Sequence, residues 1–522
     1  MIKKNLFKII LVLGILLLTI IPCWILKIPL GFNPPSYTIF IVLLIYIAIL
    51  FYFKNFIDKT SNEFNKKIPN LAVFAAVAIF ILGLISTPLF TNHKQKSITS
   101  YQTIKINDIF KKDTNKFIMV DSDYAKKLGD KILGSEQLGN FFQVGEYQDI
   151  MYNNNFVSVA PLEYNSFIIS LNKRTSPGYI IVDKYSGDVK LIDNKKIKYT
   201  QDGYILRNVK RKFALHGVYD HYNSRFEIDD NGTPYYISND YTTKQFLSVV
   251  TPNNVVTLNA ETGEVKKYKI GEQPKWIDNV YHPDYLRESI EWNMKYVKGY
   301  WNTIFGKNDI MLLSQGDAKN TPHFLNYRYI EIDGTIYLYS GVTSSGSDES
   351  LTGFMLTNIK TQENMFIKQG AISEIAAMET LMGEAQNYKY YSTFPTLTLV
   401  DNKLTYYTTL KDNTNLIKSY GFVDTLNLNK VSFEKSTSLA YLKYSGKSLN
   451  TEKGSLLKTK TVKIKRIDYN SSDNNFYIVI DKTIIKVSAT ISSELINTRD
   501  GDRIKIEIDD KNNVYKFDNL EF

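Results

Sequence analysis

The stretch 340–350 is the part of this sequence whose residue types come closest to a binding site. It reads Ser-Gly-Val-Thr-Ser-Ser-Gly-Ser-Asp-Glu-Ser, so hydroxyls, glycines and two carboxylates follow one another. The backbone N–H groups and hydroxyls of such a loop can surround an anion or a sugar. A serine nucleophile would need a Gly-x-Ser-x-Gly turn between a strand and a helix, which this loop lacks. We therefore predict no catalytic residue here. A ligand-binding loop would use Ser344, Ser345, Ser347, Asp348 and Glu349, and a plain surface hairpin is the simpler interpretation.

The histidines and acids elsewhere form no recognisable metal or catalytic pattern. His216 and His221 are five residues apart, which places them on different faces of a helix, and no paired cysteines or His-Glu-x-x-His motif accompany them. Two carboxylates that cleave a glycoside must face each other across a cleft, and nothing in the sequence selects such a pair. No glycine-rich phosphate loop is present. The sequence predicts neither a metal nor a cofactor.

A repeated hairpin organises the chain. Residues 178–193 form an apolar run, a polar turn and a second strand, and the pattern returns at 254–270. Looser copies without a turn glycine lie at 353–367 and 421–431. The run Asn-Ala-Glu-Thr-Gly-Glu-Val at 259–265 resembles the closing hairpin of PepSY domains, which are small extracytoplasmic α+β domains. That resemblance implies repeated α+β units and, as one alternative, a regulator of an extracytoplasmic protease.

Each hairpin is expected to close a unit that also contains a short helix and further strands. Apolar stripes with three- and four-residue spacing predict the clearest helices at 284–305 and 371–385. A helix laid across one apolar sheet face would cover it. A β-propeller is the alternative, but helices of this length are rare between blades. The units predicted are 92–193, 194–275, 276–370 and 371–435.

The C-terminal part has a different composition. Residues 436–460 are rich in Ser, Lys, Gly and Thr, which predicts a linker. Five short apolar runs within 461–522 predict a small β-barrel of the OB or SH3 type.

Three apolar runs lie near the N-terminus, at 9–26, 37–53 and 71–90. Each is about long enough to cross roughly 30 Å of hydrocarbon. The lysines around them place the N-terminus in the cytoplasm and residues after about 91 outside, by the positive-inside rule. A cleaved signal ending near Cys23 is the alternative. The fold class predicted is α+β: a three-helix transmembrane anchor at 1–91, tandem helix-plus-antiparallel-sheet units and a small β-barrel.

The charge distribution bears on partners. The net charge is +10, but residues 1–91 alone hold 8 lysines and 2 acids, so the rest is nearly balanced and shows no nucleic-acid footprint. The heavy aromatic load of 37 Tyr and 29 Phe favours β-rich packing. Because no catalytic motif is present, the sequence favours a protein that acts by binding. We predict a multi-pass membrane protein that serves as a scaffold, sensor or accessory subunit of an envelope assembly, with the bilayer and an envelope or membrane protein as partners. The alternative is an envelope enzyme that acts on wall glycan or peptide near the 340–350 loop.

Overall fold

A computed structural model describes residues 91–521 except 219–221, 245–248, 315–326, 345–349, 448, 450–457, 471–474, 482, 490 and 509–513. The chain divides into two compact units. In its described part, unit 1 comprises 91–109, 120–314 and 327–373, and unit 2 comprises 110–119 and 374–521, with the gaps just given.

The described part of unit 1 is built mainly of strands. They are β1 Tyr101–Ile104, β2 Phe142–Val144, β3 Gln148–Tyr152, β4 Asn155–Tyr164, β5 Tyr179–Asp183, β6 Val189–Ile192, β7 Arg225–Ile228, β8 Pro234–Lys244, β9 Val249–Asn259, β10 Val265–Lys269, β11 Met311–Leu313, β12 Arg328–Ile332, β13 Thr335–Ser344, β14 Ser350–Leu351, β15 Gly353–Asn358, β16 Asn364–Ile367 and β17 Ala371–Ile372. Its helices are α1 Ile106–Ile109, α2 Ser122–Ser135, α3 Phe167–Asn172, α4 Val209–Leu215 and α5 Pro283–Lys295.

These strands form three large sheets. Sheet I has the order β2-β4-β5-β6, with β3 also paired to β4, and sheet II has the order β10-β9-β8-β7. Sheet III has the order β1-β16-β15-β13-β11, with β12 also paired to β13. Neighbouring strands pair antiparallel except β1, which runs parallel to β16. Strands β14 and β17 form a separate small pair.

Sheets I and II share one hydrophobic core. Tyr179 of sheet I packs against Phe226 of sheet II with ring centroids 5.8 Å apart, and both rings are buried. Val159 and Val256, one from each sheet, lie in the same cluster and are fully buried. Each sheet therefore covers part of its apolar surface with another sheet, and burial of this surface stabilises the unit by roughly 25 cal/mol per Å².

Three of the four predicted hairpins use the same turn. Asp183, Asn259 and Asn358 each end a strand, and each side-chain oxygen accepts the N–H groups of the second and third residues that follow. The residue at the left-handed position is Gly187 (φ +75°) in the first turn and Gly263 (φ +81°) in the second. In the third turn Gln362 adopts φ +64° without a glycine. An Asx side chain that bonds its own backbone explains why the pattern survives this replacement.

The helix predicted at 284–305 is shorter in the structure than the apolar stripe that predicted it. Helix α5 begins at Pro283, as expected for a residue that needs no N–H at the first turn, and ends at Lys295 instead of 305. Gly299 adopts φ +82°, a left-handed conformation that a helix interior does not contain. Residues Asn302–Gly306 form a separate π-helical turn.

The first part of unit 2 is a sheet backed by helices. Strands β18 Tyr391–Ser392, β20 Lys403–Lys411, β21 Ile417–Asp424 and β22 Val431–Glu434 follow one another in the sheet, and β19 Thr396–Val400 also pairs with β20. Helices α6 Glu374–Glu384 and α7 Thr437–Ser445 contact this sheet. Helix α7 lies within the predicted linker at 436–460. Ser436 caps its first turn and Gly446 ends it at φ +71°.

The C-terminal part of unit 2 holds six strands in two sheets. Strands β23 Lys458–Lys463, β27 Arg503–Ile508 and β28 Val514–Asn519 form one sheet, and β24 Arg466–Asn470, β25 Asn475–Ile480 and β26 Thr483–Ser488 form the other. Ile478 of one sheet and Ile506 of the other belong to one buried cluster. Two three-stranded sheets with a common core therefore stand where a five-stranded barrel was expected. Strand β24 was missed because its side chains are mostly exposed and show no apolar run.

The predicted fold class is wrong. The described chain is β-rich, and the shared core of sheets I and II replaces the expected arrangement of one covering helix for each sheet. No helix in the described part of the chain is both long and apolar enough to cross a bilayer. The three predicted spans at 9–26, 37–53 and 71–90 lie outside the described residues. The prediction of a three-helix anchor, and with it the multi-pass membrane location and orientation, is therefore not supported.

Candidate functional site

A polar cavity of about 850 Å³ lies where elements of sheets I, II and III meet in unit 1. The start of α2, the β2–β3 connection, strand β3 and the turn after β5 line one side, and the residues before β7, the start of α5 and the start of β12 line the other. Its charged side chains include Glu146, Asp149, Lys184, Asp284 and Arg328. This volume is within the usual range of small-molecule sites, about 300–1,000 Å³.

A β-bulge places Glu146 at the cavity. Strands β2 and β3 both pair with β4, but Val144 lies opposite Leu162 whereas Gln148 lies opposite Val159, so the register shifts by one residue between them. The break faces Pro161, which has no N–H to donate to a neighbouring strand. Bulges commonly re-aim a side chain beside a functional site.

Gly145 allows the two strands to approach at this bulge. Its N–H donates to the carbonyl of Pro161 at 2.8 Å. A Cβ atom at this position would lie only 3.0 Å from Cγ of Pro161 and 3.2 Å from Cδ of Glu163. A side chain here would push the bulge away from β4, so glycine fixes the position of the neighbouring carboxylate.

Asp149 and Lys184 form a buried ion pair on the wall of the cavity. Lys184 Nζ lies 2.8 Å from Asp149 Oδ2 and 3.0 Å from Oδ1, and the two side chains are 4% and 13% exposed. Ser158 Oγ also donates to the Asp149 carboxylate. Burial lowers the pKa of Lys184, and the charge of Asp149 opposes that effect. The Asp149 carboxylate is therefore held in place by two donors from the neighbouring strand β4 and the turn after β5.

Glu146 has a different environment. No other described residue gives its carboxylate a hydrogen bond, and the group is accessible from the cavity. The surrounding protein mass removes part of its hydration and so raises its pKa, and the nearby Asp284 carboxylate raises it further. Both effects favour the protonated form of the Glu146 carboxyl group.

The Tyr327 side chain lines the same cavity as three carboxylates. Burial raises the pKa of its hydroxyl to about 12, and the charges of Asp284, Glu146 and Asp149 act in the same direction. The Arg287 guanidinium, which opposes them, lies 5.2 Å from the centre of the Tyr327 ring. These three acids and Tyr327 all line the same cavity, so their charges act within one pocket.

Arg328 follows Tyr327 and is the first residue of β12, and its side chain supplies a cation to the cavity. No described residue forms an ion pair or hydrogen bond with its guanidinium, although its charge reaches Lys184. A guanidinium presents five donors in a planar fork. The cavity therefore has an unused donor group in addition to the unused acceptors of Glu146.

The start of α5 is fixed by a histidine cap. His282 Nδ1 accepts the N–H of Asp284 at 3.2 Å, and its ring stacks on Tyr222 with centroids 4.8 Å apart. Because Nδ1 acts as an acceptor, its 3.5 Å separation from the Asp284 carboxylate is not a salt bridge. The Asp284 side chain is 53% exposed, so its carboxylate stays open to the cavity.

A strap of residues 278–282 leads from sheet II to α5. Its backbone is held by buried Glu227 of β7, which accepts the N–H groups of Asp278 at 3.0 Å and Asn279 at 2.8 Å. The Asp278 carboxylate accepts the N–H of Met151 on β3 at 2.7 Å. Burial and the Asp278 charge raise the pKa of Glu227 to about 7. The strap therefore joins sheets I and II through two carboxylates.

Arg225 has a structural role although it lines the cavity. Its Nε and Nη2 atoms donate to the carbonyl of Asn279 at 3.2 and 3.0 Å, and Nη2 also donates to Asn239 Oδ1 at 3.0 Å. These bonds tie the strap to β7 and β8, so the guanidinium serves the fold.

The structure does not bring the loop residues selected from the sequence together. Ser344 is exposed at the end of β13, opposite Met311 of β11. The other four, Ser345, Ser347, Asp348 and Glu349, lie outside the described residues. His216 ends α4, with Nδ1 2.9 Å from the carbonyl of Lys212. Within the described ranges, no group of three His, Cys, Asp or Glu side chains could hold a metal ion.

Sequence reasoning missed the cavity residues. Glu146 and Asp149 fall at the break between two short strands, and Asp284 and Tyr327 follow them by more than a hundred residues. Lys184 stands inside the first hairpin motif, where it read as a turn residue. Gly145 and Pro161, which lie opposite each other, are the residues that could have indicated a bulge. Neither predicts one unless the pairing of the strands is already known.

Comparisons with known proteins show no family for this chain. No family model matches it, and no curated protein matches it significantly. Among solved structures, a mutant of B. megaterium levansucrase is 10% identical, with 78% of this chain and 98% of that chain covered at a TM-score of 0.21. An alpha-L-arabinofuranosidase from Lactobacillus brevis is 5% identical, with 72% and 94% covered at 0.18. A mutant of Synechocystis apocarotenoid oxygenase is 8% identical, with 73% and 62% covered at 0.14. Likenesses at such scores carry no argument about this protein.

Proposed function

We propose that this protein acts by binding a polyhydroxylated ligand, a saccharide, in the cavity of unit 1. The observation that supports this proposal is that Glu146, Asp149, Asp284 and Tyr327 line one cavity of about 850 Å³. Acting by binding, the protein would serve as a sensor or an accessory subunit of a larger assembly.

The chemistry of the wall suits sugar hydroxyls. A hydroxyl both donates and accepts, and it is matched by carboxylates that accept and by guanidinium and phenol groups that donate. Glu146 and Arg328 have hydrogen-bonding capacity that no described residue uses. Tyr327 and Tyr329 add aromatic surface with a polar end, their rings packed edge to face at 5.8 Å. Asp149, Lys184 and Arg225 are already bonded to neighbouring residues, so this part of the wall is preformed.

A preformed site lowers the entropic cost of binding. Asp149 is fixed by Lys184 and Ser158, and the strap is fixed by Glu227. Side chains that are already immobilised lose little freedom when a ligand arrives, so more of the interaction energy appears as affinity.

The test is binding of the purified full-length chain to an array of defined oligosaccharides and to soluble fragments of bacterial wall glycan. We expect a subset of these saccharides to be retained. Arg328→Gln should weaken retention roughly tenfold or more, because hydrogen bonds to charged groups contribute about 1.5–3 kcal/mol. Arg174→Gln is the matched control, since Arg174 is exposed and does not line the cavity. Absence of any saccharide binding, or equal loss in both variants, would contradict the proposal.

A further inference from the structure

Two carboxylates of the cavity, Glu146 and Asp149, differ in their surroundings. Glu146 stands in the bulge with no hydrogen bond from another described residue. Asp149, three residues on, is gripped by Lys184 and Ser158. Both line the same cavity and both act on the Tyr327 hydroxyl. Two acids whose environments differ in this way are suited to different steps of one reaction.

The geometry points to cleavage of a glycosidic bond in this cavity, with Glu146 as proton donor and Asp149 as nucleophile. This inference rests on the proposed saccharide binding and adds a reaction to it. In the first step the Glu146 carboxyl gives its proton to the oxygen of the leaving sugar, the bond from that oxygen to the anomeric carbon breaks, and Asp149 forms an ester to that carbon. In the second step Glu146 takes a proton from water, the hydroxide attacks the anomeric carbon, and Asp149 leaves as carboxylate. One water is consumed and both acids return to their starting states.

Glu146 suits the donor role because it can keep a proton. Burial and the like charge of Asp284 both raise its pKa, so a larger share of the molecules carries the proton at a given pH than for a solvated glutamate. Asp284 would then act as a positioning residue, because it sustains the protonated form of Glu146 without touching the scissile bond.

Asp149 suits the nucleophile role because its carboxylate is held in a fixed position on the cavity wall. N–H and O–H donors from Lys184 and Ser158 already occupy lone pairs of its oxygens. The negative charge of this carboxylate can stabilise the positive charge that develops at an anomeric carbon. The ion pair also holds the attacking oxygen in one orientation.

The experiment uses the saccharide that the full-length protein retains on the array. The wild-type protein should release new reducing ends from it, and the first product should keep the anomeric configuration of the substrate. Glu146→Gln preserves shape and an acceptor oxygen, so it should still bind the saccharide but cleave it roughly 10²–10⁴ times more slowly. A 2,4-dinitrophenyl glycoside of the same sugar needs no proton donor in the first step, so Glu146→Gln should release the first equivalent of dinitrophenolate at nearly the wild-type rate. Later turnovers should be slow, because the second step still lacks its base. Glu136→Gln is the matched control, because Glu136 is exposed at the far end of α2.

The nucleophile is tested by chemical rescue. Asp149→Ala should lose cleavage, and added azide should restore turnover of the dinitrophenyl glycoside and give a glycosyl azide. If removal of Asp149 unfolds the protein, the double variant Lys184→Met with Asp149→Ala removes both charges and serves instead, with saccharide retention as the sign of a folded cavity. Retention of a saccharide by wild type without any new reducing end overturns this inference and leaves the binding proposal intact. Failure to retain any saccharide overturns both.

Discussion

Replacement of Lys184 by methionine tests whether the cavity wall depends on one buried ion pair. Lys184 is 4% exposed and lies 2.8 Å from the Asp149 carboxylate, which is 13% exposed. Methionine fills a similar volume but leaves the carboxylate with Ser158 as a donor and no cation. Breaking a buried pair by removing one partner typically costs about 3–5 kcal/mol, because an uncompensated charge stays in a poorly hydrated position.

The assay is urea unfolding of the full-length protein, followed by tyrosine and tryptophan fluorescence. With a slope of about 1–3 kcal/mol per molar urea, the expected loss lowers the midpoint for unit 1 by roughly 1–5 M. Lys190→Met is the matched control, since Lys190 lies in sheet I but is exposed, and its effect should stay within about 0.5 kcal/mol. The double variant Lys184→Met with Asp149→Asn should recover most of the loss. A loss below about 1 kcal/mol for Lys184→Met alone would refute the view that the pair is buried and mutually required.

Three further outcomes follow from the turns, the strap and the core of unit 2. Gly263→Ala should cost more stability in thermal melts than Gly187→Ala: both carry the left-handed penalty of about 1–2 kcal/mol, but a Cβ at 263 would lie 2.5 Å from the Tyr199 ring, whereas at 187 its nearest neighbour is 3.6 Å away. The Glu227 pKa is raised from 4.5 to about 7, so the folded state binds more protons than the unfolded chain between these values. The free energy of unfolding should therefore fall as pH rises through that window, and Glu227→Gln should flatten the slope. Phe117→Ala should lower the free energy of unfolding of unit 2, measured by calorimetry, by about 3–5 kcal/mol, since the Phe117 ring packs on Tyr407 and Phe422.

Each of these outcomes has an alternative that would contradict its premise. Equal losses for the two glycine variants would mean that the tyrosine ring moves aside freely. If the free energy of unfolding of Glu227→Gln still falls as pH rises, another buried acid causes the pH dependence. Equal shifts of both calorimetric transitions in Phe117→Ala would show that the two units unfold together.

The turns of the fold were predictable because their cause is local. An Asx residue that bonds its own backbone two and three residues ahead leaves a sequence signature, and three hairpins show it in the structure. The end of α5 was harder to place, since the apolar stripe continues past the point where Gly299 turns the backbone. The covering of one sheet by another was not predictable, because alternating strands look the same whether a helix or a second sheet packs on them.

The candidate site escaped the sequence for a physical reason that also explains its form. Serine-rich and glycine-rich stretches attract attention because they resemble loops that bind ligands, yet Ser344 is exposed and apart from the cavity. Glu146 acquires its unusual environment from a one-residue shift in register against β4, and Asp284 reaches it through a strap anchored on buried Glu227. The environment of the Glu146 carboxyl group thus depends on residues that are distant in the sequence and meet only in the folded sheets. Deletion of Gly145 would restore regular pairing at the bulge. It should therefore abolish the saccharide retention proposed for the cavity, although the charged residues of its wall stay the same.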